Sequence, residues 1–178
     1  ERVQAILDRL GLGVHALLCG AQEPGDPAAR LALREAGAAP SALHNNCSGK
    51  HAGFLATALR LGDDPARYLE PNSAVQRAVH AAVVDLCGLE GPVPHVVDGC
   101  SAPTWRLSVR ALGTAFARVG TPSQLASERA AACRRMTSAA AAHPTLIAGR
   151  HKRLCTALVE ASGGALFPKI GDRKSTRL

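Results

Sequence analysis

Aromatic side chains are scarce: phenylalanine, tryptophan and tyrosine make up 3% of 178 residues, with a single tryptophan and a single tyrosine. That excludes an aromatic cage for cations and a stacking platform for nucleic-acid bases. Lysine is also sparse, since only Lys50, Lys152, Lys169 and Lys174 stand among the 21 basic residues. No apolar run approaches the roughly 20 residues of a membrane span, and the opening Glu1-Arg2-Val3-Gln4 enters a helical pattern without a signal peptide. Neither membrane insertion nor secretion is expected, and the opening reads as internal to a longer protein. What is abundant is aliphatic: 47% of residues are hydrophobic and 20% charged, enough to bury the core of one soluble domain.

The formal charge of +7 would ordinarily raise nucleic acid or an anionic membrane as partners. Here the arginines, among them Arg60, Arg67, Arg77 and Arg118, are scattered along helices and form no block. An alanine- and arginine-rich, lysine-poor chain is what GC-rich codons give, so no nucleic-acid partner is expected. Each retained lysine is correspondingly informative. The six cysteines, Cys19, Cys47, Cys87, Cys100, Cys133 and Cys155, are spread without close pairing. This pattern points to a reducing, cytoplasmic setting. Cys19, Cys87, Cys133 and Cys155 lie in apolar or alanine-rich helical contexts and read as buried small thiols.

Val3, Ile6, Leu7 and Leu10 recur at helical spacing before Gly11 and Gly13. Asp26-Pro27 caps a second helix toward Gly37. The polar stretch from His44 to His51 leads into a helix expected from about Gly53 to Leu61, so its side chains gather at a helix N-terminus. Asn72-Ser73 caps a helix with Val75, Val79, Val83 and Leu86 on one stripe, ending at Gly88. His95-Val96-Val97 reads as a short strand stopping at the turn Asp98-Gly99-Cys100-Ser101-Ala102-Pro103. Further helices are expected over 107–119, 122–142 and 149–161, with a turn at Gly163-Gly164.

The last seven residues, from Asp172 to Leu178, break from this composition. The codons GAT CGG AAG AGC ACA CGT CTG encode them and match a common sequencing-library adapter, so residues 172–178 read as a non-native tail after a domain over 1–171. Arg173, Lys174 and Arg177 against Asp172 supply two of the seven net positive charges.

Asn45-Asn46-Cys47-Ser48-Gly49-Lys50-His51 offers a thiol, a hydroxyl, an amine and an imidazole within two turns. A phosphate loop is excluded, because that motif needs glycine where His44 stands and serine or threonine where His51 stands. Two readings of the residues remain open. Cys47 and Lys50, one helical turn apart, have the spacing of a nucleophile and its base, which would make a thiol amidohydrolase. Alternatively, Cys47 and Cys100 with a nitrogen donor form a soft ligand set that suits zinc, catalytic or not.

The run from His44 to Gly53, followed by Val97-Asp98-Gly99-Cys100-Ser101-Ala102-Pro103, resembles the rhizobial-type L-asparaginase family, also called asparaginase II. Weaker similarity covers Tyr68 to Gln76, His143 to Arg150 and Lys169-Ile170-Gly171. The resemblance implies an α+β fold similar to serine β-lactamases and glutaminases, here a largely helical internal fragment with few short strands. It implies hydrolysis of L-asparagine to aspartate and ammonia through a serine acyl-enzyme, in a protein that is a homodimer at full length. Cys47, Lys50 and Cys100 match the family's zinc ligands, Asp98 and His51 match polar residues around the same site, and Lys169 matches a lysine near a catalytic serine. A lysine ligand must be neutral despite a reference pKa of about 10.4, which an adjacent dication makes possible. The nucleophilic serines belong to family segments upstream of Glu1, so the chain is expected to hold the metal site without the nucleophile. Asn72-Ser73-Ala74 departs from the family's His-Pro pair before the glutamine.

Overall fold

Among the described residues, 2–150 and 152–170 of the computed structural model, the amphipathic stretches fold as eight α-helices and one two-stranded hairpin. The result is mostly helical with a small antiparallel sheet, an α+β composition. The chain divides into two compact units, Glu1–Ala111 and Leu112–Leu178.

In the first unit, α1 (Arg2–Leu10) stops where the sequence signals. Gly11 takes a left-handed φ of 68° while the Leu12 N–H reaches back to the Leu7 carbonyl at 3.0 Å, a glycine-dependent cap. Helix α2 (Pro27–Glu35) begins on Asp26, whose side chain accepts from the Ala28 N–H at 3.0 Å. Helix α3 (Ser48–Leu61) ends at Gly62, and α4 (Ala74–Cys87) begins on Ser73 and ends at Gly88. Asp63 ties these two ends together by accepting from the Ala74 N–H at 2.6 Å. Helix α3 packs against both α1 and α4. Its inner face presents Ala52, Leu55 and Ala58, all fully buried, to Leu7, Tyr68 and Val75. The two alanines leave room for close approach, and Leu55 fills the remaining volume.

Helix α3 starts five residues before the Gly53 expected from the sequence. The cause is Asn45. Its Oδ1 accepts from the Cys47 N–H at 2.8 Å, and its backbone carbonyl accepts from Ser48 at 2.9 Å, which satisfies donors that a helix start leaves open. Lys50 and His51 are therefore helical residues. The Asn45 amide nitrogen in turn donates to the Cys19 and Gly20 carbonyls at 2.9 and 3.1 Å, pinning this start to the segment after α1.

Strand β1 (His95–Val97) pairs antiparallel with β2 (Pro103–Trp105), His95 opposite Trp105. β2 was not expected, since the sequence marks Pro103 only as the end of a turn. It forms because Trp105 finds cover on α4, where its ring lies 4.7 Å from that of His80. Cys19 lies in a turn and not in a helix, yet it is buried as expected, as are Cys87, Cys133 and Cys155.

The second unit takes the rest of α5 (Val109–Gly120), then α6 (Ser127–Ala142), α7 (Thr145–Ala148) and α8 (Leu154–Ala161). The helix expected over 122–142 divides, because Pro122 opens a short 3-10 turn and Leu125 is extended. The one expected over 149–161 starts later, since Gly149 has a φ of 97° that continues no helix. Gly163 and Gly164 form the expected turn with φ of 59° and 85°. Residues 171–178, including the proposed adapter-derived tail, lie outside the described residues. No helix among those described is long and apolar enough to cross a membrane.

Two substitutions test this packing. Leu55→Ala should lower unfolding stability by about 2–5 kcal/mol in urea titration, the range for emptying a buried leucine site. Leu31→Ala on α2, where the leucine is 58% exposed, should change it by no more than about 0.5 kcal/mol. Asn45→Asp should cost about 1–3 kcal/mol although it keeps the acceptor for Cys47, because a carboxylate cannot donate to the two carbonyls it would then face.

Candidate metal and active site

Cys47 is the residue before the first turn of α3 and Lys50 lies three positions on, so both project to one side of the helix start. Across 50 residues of sequence, the hairpin loop delivers Cys100 to them. That loop closes on itself: the Asp98 N–H donates to the Ala102 carbonyl and the Ser101 N–H to the Asp98 carbonyl, both at 2.9 Å. Ser101 takes a left-handed φ of 68° to complete the turn. The closure turns Cys100 inward, where it is 4% exposed.

The Lys50 Nζ donates to the Cys100 Sγ at 3.2 Å. The Cys47 thiol is close enough to Cys100, Lys50 and Asp98 for each to act on its ionisation, and the Cys100 Sγ lies 3.8 Å from the Asp98 Oδ2. The Asp98 Oδ1 is held by the Gly99 N–H at 2.6 Å. Two thiols, an amine and a carboxylate thus share one corner of the first unit. His51 adjoins them in sequence but points its hydrogen bond elsewhere, with Nδ1 2.7 Å from the Tyr68 hydroxyl. Lys169 belongs to the second unit, exposed, and donates to the Ile170 carbonyl at 2.7 Å. Ser48 is buried and Ser101 exposed.

Burial dominates the electrostatics. It pushes the Cys47 thiol up to about 11; the Lys50 charge pulls the other way, and the neighbouring Cys100 adds to the rise. Burial pushes His51 down to about 4, with the Lys50 charge acting in the same direction, so the imidazole is neutral. Burial also raises Tyr68 to about 12 and raises the Cys19 thiol.

A thiol nucleophile acts as thiolate, and a Cys47 held this far up is poorly activated by Lys50 alone. The donor set suits a soft dication better, because two sulfurs and one nitrogen match zinc's preferences. No three His, Cys, Asp or Glu groups among the described residues make a metal cluster, so a metal here depends on Lys50 as its third donor.

The sequence reading passed over three residues that shape this corner. Asn45 holds the helix start. Tyr68, fully buried, accepts from the Leu18 N–H at 2.8 Å and bonds His51. Gln76, also fully buried, donates to the Tyr68 carbonyl at 2.8 Å. Tyr68 could have been singled out as the chain's one tyrosine, and Phe54 as one of few aromatics, set one turn after Lys50 with its ring 6.0 Å from the lysine amine.

No curated protein matches the chain in a sequence search. A family model described as L-asparaginase II matches residues 1–174, which takes in both motifs and both compact units. The chain belongs to the L-asparaginase II family.

Proposed function

We propose that the protein is an L-asparagine amidohydrolase in which Cys47, Lys50 and Cys100 hold a zinc ion. The observation that carries this reading is the 3.2 Å approach of Lys50 to Cys100 beside Cys47, in a chain of the asparaginase family. The same reading gives the whole protein a serine β-lactamase-like fold. The nucleophile is a serine outside these 178 residues. Its hydroxyl attacks the side-chain amide carbonyl of asparagine, ammonia leaves, and water hydrolyses the resulting ester to aspartate.

Zinc, when bound, supplies a fixed positive charge that polarises a carbonyl or organises the pocket around it. The chain's own residues prepare for that. Cys47 and Cys100 give up their protons to become ligands, and the Lys50 amine gives up one of its own. Asp98, anchored through Oδ1 by its own loop, keeps Oδ2 toward Cys100 and orients the thiol. Lys169 serves the serine chemistry by the family resemblance.

Elemental analysis of the purified protein should find stoichiometric zinc. Cys47→Ser and Cys100→Ser should each lose it, Lys50→Met should bind it at least tenfold more weakly, and Cys133→Ala, in α6, should retain it. Wild-type protein without zinc would remove the ligand assignment.

The reaction has its own test. Enzyme extended to full length should release ammonia from L-asparagine, and the 178-residue chain should not. Silence of the full-length enzyme would reject the asparaginase reading. Turnover by the isolated chain, abolished in Cys47→Ser, would replace the serine with a thiol mechanism.

A further inference from the structure

The buried contact between Tyr68 and His51 decides which ring nitrogen of His51 carries the proton. Tyr68 and His51 are both fully buried, so neither can borrow water. The Tyr68 hydroxyl already accepts from the Leu18 N–H at 2.8 Å, and its other neighbour is the His51 Nδ1 at 2.7 Å. The His51 Nε2 is buried and has no hydrogen-bond partner.

Two proton arrangements are possible. If His51 carried its proton on Nδ1 and donated to Tyr68, the hydroxyl proton would face no acceptor and the Nε2 lone pair would be unpaired as well. If Tyr68 donates instead, Nδ1 is satisfied, the hydroxyl uses both its capacities, and only the Nε2–H is left open. The second arrangement leaves one buried polar group unpaired where the first leaves two, and each such group is costly.

We propose that Tyr68 is a positioning residue that donates its hydroxyl proton to Nδ1 of His51 and so holds His51 as an Nε2–H donor beside Lys50. In this form His51 cannot take a proton at Nε2, and because His51 is fully buried its Nε2–H stays enclosed within the first unit. A general-base role passes to another group. Gln76 supports the arrangement by fixing the Tyr68 carbonyl at 2.8 Å, and Phe54 meets the His51 ring edge-on at 5.8 Å between centroids. The inference goes beyond the asparaginase reading and does not rest on it.

Nitrogen-15 NMR of histidine-labelled protein tests it. The chain has seven histidines, and His51→Gln identifies the His51 ring signals by their loss. In the wild type the His51 Nδ1 should resonate as an unprotonated ring nitrogen and Nε2 as a protonated one. Because Tyr68 is the chain's one tyrosine, growth on 3-fluorotyrosine alters this hydroxyl alone. It makes the hydroxyl a stronger donor without changing the shape of the site much, and the His51 Nδ1 signal should move upfield. In Tyr68→Phe the same signal should move downfield or the tautomers should mix; if that variant does not fold, the fluorotyrosine protein decides. A protonated Nδ1 in the wild type, or an Nδ1 signal indifferent to fluorotyrosine, would overturn the proposal. Neither zinc content nor ammonia release enters this readout, so failure here leaves the asparaginase reading standing, and failure of that reading leaves the tautomer result intact.

Discussion

The Tyr68 hydroxyl is where three parts of the first unit meet. The segment after α1 reaches it through the Leu18 N–H, α3 through His51, and α4 holds its backbone through Gln76. The contacts with His51 and Gln76 are buried, so each must be made within the protein or left costly. That constraint fixes the rotation of α3 about its axis. With His51 turned toward Tyr68, Lys50 emerges on the side from which the hairpin loop approaches. The position of Lys50 against Cys100 thus follows from a contact that itself involves neither residue.

A second constraint fixes the partner loop. Asp98 is used three times: its N–H and its carbonyl close the turn, and one carboxylate oxygen caps the Gly99 N–H. What remains is a single oxygen toward Cys100. A loop of five residues closed this way has little freedom to swing the thiol out, and burying Cys100 removes the incentive. The two sulfurs come from separately braced pieces, one at a helix start and one in a hairpin. Such a site is organised before any ligand arrives, which lowers the ordering cost of binding.

Much of this corner was legible in the sequence, but unevenly. The capping residues Asp26 and Ser73 and the glycine stops at Gly11 and Gly88 act through local chemistry, and their elements appear where the pattern puts them. The start of α3 was misread because Asn45 acts through a side chain that also reaches Cys19 and Gly20, a tertiary contact that no local pattern records. Strand β2 escaped for the same reason, since it depends on Trp105 meeting His80 on α4. The joining of Cys47 and Lys50 follows from helical spacing, whereas their meeting with Cys100 was one of two open readings of the residues and was singled out through the family resemblance. Tyr68 lay within a stretch of weak similarity and offered no sign that its hydroxyl would be buried against His51.

Lysine in place of a third sulfur also has a physical logic. In the free site the Lys50 ammonium stands as one positive charge beside two thiols, and it partly offsets the burial that holds the Cys47 proton on. A bound dication would exchange three ligand protons for two positive charges, so two thiolates and a neutral amine would take the three-ligand site from one positive charge to neutrality. A third thiolate would have left a net negative charge on the same ligand set. Under the proposed zinc reading, such an exchange would make metal affinity rise with pH, with proton release accompanying it. Asp98 stands at the edge of the set, its Oδ2 3.8 Å from the Cys100 Sγ, held there by its own loop.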